Sequence, residues 1–210
     1  MPVLQRLSQS TNLVLLALLL SADVVFVLFH LVLGSHQALF NLGTDRGHSE
    51  VFQYIKEYWI AIVLFVMCWR TREGIYGAWA LLFAYLLCDD ALLIHERVGL
   101  AWQSMFAPTL GLRARDFGEL AFSGSMGLGF LALIAFFHLR CSSSAKSVSR
   151  TMAVLLGVLV FFGVVVDMVH VAAYPVIRGL TVVEDGGEMV TMSVLASYVV
   201  HLLERARQRR

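Results

Sequence analysis

Residues 86–99 read LLCDDALLIHERVG. The stretch begins and ends as an apolar, membrane-type helix, yet it carries Asp89, Asp90, His95 and Glu96. Ionisable groups at membrane depth are expensive and mark functional sites by default. How this segment is read therefore decides both the fold and where chemistry is to be sought.

The flanking chain supports a membrane reading. The 210 residues are 59% hydrophobic and the mean hydropathy is +0.75, beyond the range of ordinary soluble domains. Six apolar runs are long enough to cross a hydrocarbon layer of about 30 Å as helices. They cover about 12–34, 52–69, 75–98, 118–139, 152–177 and 187–204. The connections are short, no repeat or low-complexity segment interrupts them, and strand-type alternation is absent, which argues against a barrel. The expectation is one all-α domain over 1–210, a polytopic membrane helix bundle of six transmembrane helices. Arg6 and LLSAD (19–23) resemble a cleavable leader, but the apolar run continues past Asp23 to Gly34, long enough to span, so it reads as a retained first helix.

Lys and Arg in the loops give an orientation. With a cytoplasmic N-terminus, the inner side holds Arg6, Arg70, Arg72, Arg140, Lys146, Arg150, Arg205, Arg207, Arg209 and Arg210. The outer side holds Arg46, Arg97, Arg113, Arg115 and Arg178, with Lys56 near the boundary. Both termini are thus expected in the cytoplasm, in a bacterial or archaeal cytoplasmic membrane. The net charge of +1 points to no partner. The basic tail ERARQRR (204–210) reads as an anchor on anionic lipid rather than a nucleic-acid site, being short and free of aromatics. Three cysteines, with no Cys-x-x-Cys, predict neither a disulfide nor a zinc knuckle, c-type haem or thiol redox site.

A rise of about 1.5 Å per residue sets the depth of the polar groups. The third run brings Asp89, Asp90, His95 and Glu96 outward of the midplane; the fifth brings Asp167 and His170; the first, His30, with Asp23 near the centre. The second, fourth and sixth enter with Glu57, Glu119 and Glu188, and VVEDGGEM (182–189) adds Glu184 and Asp185 in what reads as the loop before the last helix. All six runs thus bring an acid or a histidine to one slab, while the inner half holds only His138 and His201. Asp167, His170 and Tyr174 share one helical face, as do Asp23 with His30 and Asp89 with Glu96. On a continuous third helix Asp90 and His95 project to opposite flanks of that last pair, so this helix should lie at the bundle centre.

So many carboxylates cannot all stay ionised beside so few cations. A bound divalent metal is the simplest remedy, and carboxylate plus imidazole suits zinc, manganese or non-haem iron. Di-metal helix bundles use Glu-x-x-His pairs, of which DMVH (167–170) is an Asp version. The expected ligands are Asp90, His95, Asp167, His170 and Glu188, in one shared pocket, with Glu57, Asp89, Glu96, Glu119 and His30 as a second rank. Plainer roles compete for some of these. Glu96 with Arg97, and Glu119 near Arg115, can be interfacial side chains reaching water. Glu184 and Asp185 can be loop charges beside Gly186 and Gly187, and His30 a packed histidine. His201, one turn after Ser197, reads as interhelical glue, and SGSMGLG (123–129) as a close-packing stripe. The connection at 100–117, with Trp102, Phe106 and Leu110, reads as an interfacial anchor or a lid.

CDDALLIHERVG (88–99) and VEDGGEMVTMSVL (183–195) resemble motifs of a group of uncharacterised multi-pass bacterial and archaeal membrane proteins. In that group an acidic pair precedes a His-Glu on one helix and a Glu-Glu-x-x-Glu-type stretch opens the last. The matching positions are Asp89, Asp90, His95 and Glu96, then Glu184, Asp185 and Glu188. The resemblance brings no activity. The late His-x-x-x-His of alkaline ceramidases and adiponectin-receptor-like hydrolases is missing, as are the Glu-Glu-x-x-x-Arg of prenyl-protein proteases and the Asp-rich pair of prenyltransferases. Three classes stay open. One is a metalloenzyme, hydrolase or oxidase, acting on a lipid or small molecule. The others are a proton- or cation-coupled carrier and an accessory subunit or homo-oligomer whose polar groups meet a membrane-protein partner.

Overall fold

The computed structural model describes residues 2–173 and 179–208, and the side chains of 12–172 and 179–206. Tyr174, Arg178, Arg209 and Arg210 lie outside the described residues. The chain forms α1 (Pro2–Leu33), α2 (His48–Thr71), α3 (Gly74–Leu92), α4 (Ile94–Trp102), α5 (Ala114–Arg140), α6 (Ser143–Val160), α7 (Asp167–Ala173) and α8 (Leu180–Gln208), with a π-helical segment, Phe161–Val166, carrying α6 into α7. No strand occurs among the described residues; the only pairing of that kind is an isolated bridge, Thr109 to Leu112. Among the described residues six segments are long and apolar enough to cross a membrane: Asn12–Leu33, His48–Thr71, Gly74–Leu92, Ala114–Arg140, Ser143–Ala172 and Leu180–Ala206. The protein is an all-α polytopic membrane bundle.

Three helix ends differ from the sequence expectation, each for a local reason. The run at 75–98 is two helices, because Leu93 takes a left-handed conformation (φ 53°, ψ 47°) that ends α3 and starts α4. The last helix begins at Leu180, so Glu184 and Asp185 lie on α8 and not in a loop. Gly186 and Gly187 look like loop residues, but the missing Cβ of Gly187 is filled by the Phe162 ring, which makes glycine a packing residue there. The fifth span begins earlier, at Ser143, where the Ser142 hydroxyl accepts the Ala145 N–H at 3.3 Å and caps α6.

α2, α3 and α8 form the centre. α2 packs against both α3 and α8, and α8 also meets α1, α6 and the π segment; α4 lies on α5. Ile60, Leu64, Trp79, Phe83, Leu195 and Val199 are buried in the shared core. Lipid is as apolar as these side chains, so close packing and polar contacts hold the helices together more than transfer out of water does. Trp79 Nε1 donates to Ser149 Oγ at 3.1 Å, tying α3 to α6, and Ser197 Oγ donates to Asn12 Oδ1 at 2.8 Å, tying α8 to α1. His201 Nδ1 is buried without a hydrogen bond among the described residues, so of the expected pair Ser197 makes the interhelical bond.

The glycines of 123–129 do not make close contacts: a Cβ at Gly124, Gly127 or Gly129 would meet nothing within 4 Å. Tight approach falls instead at α4–α5, where a Cβ on Gly118 would lie 2.6 Å from the Gly99 carbonyl oxygen and 3.0 Å from its Cα. Backbone cannot yield there as a side chain could. Gly118→Val is expected to destabilise the protein by about 1–3 kcal/mol through overpacking, read as a lowered midpoint of thermal unfolding in detergent, whereas Gly127→Val should leave it unchanged.

Candidate metal centre

The break at Leu93 builds the site. Residues six apart on a continuous α-helix diverge, but the left-handed turn swings His95 back over Asp89. Asp89 Oδ1 accepts the His95 backbone N–H at 2.9 Å, satisfying a free donor at the start of α4, and Asp89 Oδ2 lies 3.2 Å from His95 Nδ1. One carboxylate thus fixes both the backbone and the ring of His95. Potential ligand atoms of Asp89, Asp90 and His95 all lie within 4.8 Å of one another. From α2, Glu57 is 2% exposed and its carboxyl contacts that of Asp90, while Glu57 Oε2 has no donor among the described residues. Tyr54 Oη donates to the Asp90 carbonyl at 3.3 Å and further ties α2 to this end of α3.

A second group sits where α7 meets α8. His170 Nδ1 lies 2.5 Å from Glu184 Oε2, and the Asp167 carboxyl is in hydrogen-bond contact with Glu184. Glu188 presses its carboxyl into the space a Cβ at Gly163 would occupy, on the π segment, and feels the charges of Asp185, Asp90, Glu184 and Asp167. π segments recur at functional sites because they re-aim side chains within a helix; here the segment leads directly into Asp167.

The residues expected in one pocket therefore occupy two neighbouring groups. Asp90 and His95 come together, with Asp89 and Glu57. Asp167 and His170 come together around Glu184, and Glu188 reaches the charges of both. Asp89, Asp90 and His95 are the one trio of potential ligands that converges among the described residues. Glu96 and Glu119 are both held by Arg115, which pairs with each at 2.5 Å and binds α4 to α5. His30 Nδ1 accepts the Leu42 N–H at 3.2 Å and so pins the first loop. Of the connection at 100–117, Gln103–Met105 is a 3-10 turn, Leu110 is exposed, and Gly111 (φ 81°) packs on Ala172 of α7.

One feature escaped sequence reasoning. Lys56 and Asp23 are buried and paired at 3.0 Å. Lys56 Nζ also donates to the Met189 carbonyl at 3.0 Å and Ser193 Oγ at 3.2 Å, and Ser193 Oγ donates to Asp23 Oδ2 at 2.6 Å. The only signal was a lysine beside a glutamate inside an apolar run.

These pairings decide the charge balance. Lys56 is taken by Asp23 and Arg115 by two glutamates. Among the described residues no Lys or Arg comes within ion-pair distance of Glu57, Asp90, Asp167 or Glu188. Carboxyls in contact away from water must hold a proton or a cation between them.

The Asp89 hydrogen bond, opposed by burial, holds the His95 imidazole above its ordinary range. A raised folded-state value adds stability that is fully present below the unfolded value of about 6.5 and is lost as pH rises through the folded one. Metal-free protein is therefore expected to lose part of its thermal stability as pH rises from about 6 through the raised His95 range. Because nearby acids also titrate, the measurement is the difference between the wild type and His95→Asn in chelator-containing buffer. Parallel profiles would contradict it.

A family model described as "Domain of unknown function (DUF8692)" matches residues 13–202, which includes most or all of each of the six spans. No curated protein and no solved structure matches the chain.

Proposed function

The chain belongs to the DUF8692 family, and we propose that it is a membrane protein that binds a divalent metal at the end of α3. In this reading Asp90, His95 and Glu57 are ligands, and Asp89 orients His95. The observation that carries it is the convergence within 4.8 Å of two of these ligands, Asp90 and His95, with the orienting Asp89, beside a Glu57 carboxyl that contacts Asp90 and whose Oε2 has no donor among the described residues. A carboxylate that grips one imidazole nitrogen and leaves the other for a metal is a recurrent arrangement around protein metals. The mixed oxygen and nitrogen donor set suits zinc, manganese or non-haem iron. The loop Lys and Arg bias supports cytoplasmic termini, and so a site on the outer side of a bacterial or archaeal cytoplasmic membrane.

When bound, such a metal lowers the pKa of a coordinated water or engages oxygen, the chemistry of a hydrolase or an oxidase. The chain's own part is to hold the donors. Asp89 keeps His95 Nδ1 engaged, and Glu57 and Asp90 supply the negative charge that a dication neutralises. Elemental analysis of protein purified without chelators should find about one transition-metal ion per chain. Metal-free protein with an intact pocket would overturn the reading.

The contacts of Glu57 with Asp90, and of Asp167 with Glu184, support a second reading, a proton relay through shared carboxyl protons. Metal-free protein that acidifies or alkalinises a proteoliposome lumen in a Glu57-dependent way would establish it in place of the first.

A further inference from the structure

An apolar groove of about 550 Å³ runs between α6, the π segment and α8. Leu155, Val158 and Phe162 form one wall, and Val183, Val190 and Val194 form part of the other. Its one hydroxyl, on Thr191, is already committed to the Gly187 carbonyl at 2.7 Å, so the groove offers no free polar side chain to an occupant. Along α8 the lining extends from Val182 to Val194, about 18 Å at 1.5 Å per residue. That matches one leaflet of hydrocarbon, about 15 Å. Both walls are membrane spans, so the groove is continuous with the surface that faces lipid.

The groove and the acidic groups share a single seam. Phe162 lines the groove and fills the missing Cβ of Gly187; the next residue on each side, Gly163 and Glu188, makes the neighbouring contact, with the carboxyl seated on the π segment. One pair of side-by-side contacts thus separates lipid-accessible apolar space from a carboxyl within electrostatic reach of Asp90 and Asp167. At one end of the groove, Val182 and Val183 precede Glu184 and Asp185 on the same turn.

We propose that this groove seats one acyl chain of a bilayer phospholipid, with the head group at the turn carrying Glu184 and Asp185, so that the substrate class of the neighbouring site is a membrane lipid entering sideways between α6 and α8. The substrate assignment rests on the metal reading; the acyl seat does not. The probe is a phosphatidylethanolamine with a diazirine on one acyl chain, in nanodiscs holding the full chain. Photolysis followed by peptide mapping should label Phe162, Val183 and Val190 about fivefold over Leu13, Leu18 and Leu128, which are more exposed, as a seat preference of roughly 1 kcal/mol would give. Val190→Trp, which fills the groove, should remove that excess and leave metal content unchanged; Val194→Phe serves if the first variant does not fold. Labelling that is uniform, or indifferent to both variants, overturns the seat whether or not metal is present. Enriched labelling on protein that proves metal-free keeps the seat and overturns the metal reading. For the lipid as the site's ligand, the visible bands of Co(II)-loaded protein should shift on transfer from lipid-free detergent into this lipid, and not in Val190→Trp. An unshifted wild type overturns the substrate assignment.

Discussion

Lys56→Ala is expected to cost about 3–5 kcal/mol of stability, because removing one member of a buried ion pair leaves the other charge uncompensated. Asp23 would keep the Ser193 hydroxyl as a donor but lose the ammonium that lies 3.0 Å away, at a site with almost no solvent access. The Met189 carbonyl and Ser193 Oγ would lose the same donor, so α1, α2 and α8 would be loosened from each other at one point. The double variant Asp23→Leu/Lys56→Met should recover most of the loss, since a buried pair replaced by apolar residues of similar volume is often neutral. Denaturation in mixed micelles measures both. Equal losses in the single and double variants would show that shape, not charge, is what Lys56 supplies. The pair also bears on the neighbouring site: Lys56 makes its ion pair with Asp23, so among the described residues Glu57, the next residue, faces Asp90 with no Lys or Arg at ion-pair distance.

The spans were legible because hydropathy is a property of consecutive residues, and a run such as 118–139 declares itself without knowledge of its neighbours. What failed to read were features set by contacts across the bundle. Nothing about leucine announces a left-handed turn, so Leu93 passed as mid-helix, and with it the fold-back that joins His95 to Asp89. Gly186 and Gly187 carried a loop composition whose real cause is the aromatic ring of Phe162 on another helix. Lys56 and Asp23 are 33 residues apart and neither names the other. Asp90, His95, Asp167, His170 and Glu188 stand out in the sequence because they are ionisable groups in apolar runs. Their division into two groups depends on the π segment and on the break after α3, neither of which leaves a mark in the sequence.

That division gives the metal reading its sharpest test. His95→Ala is expected to abolish stable metal loading, since it removes the only imidazole of the converging trio and leaves carboxylates alone. Asp89→Asn should act more gently. Its side chain still fits beside α4, but it no longer accepts from the His95 backbone and ring with both oxygens, so the imidazole is held less firmly. Loss of an outer partner of this kind weakens metal binding by about 10–100-fold. Glu57→Gln keeps shape and removes charge, and should also weaken binding, because the buried oxygen without a donor among the described residues is the one a cation would satisfy. Asp167→Asn and His170→Ala should retain the metal, because their partner is Glu184 and their side chains do not converge with Asp90 and His95. Competition against a chromophoric chelator, run on purified protein in detergent, orders all five variants in one experiment. Equal loss from His170→Ala and His95→Ala would mean that the two groups close on a single ion and that the arrangement around Glu188 differs when metal is bound. Retention of metal by His95→Ala would remove the α3–α4 break from the metal site altogether.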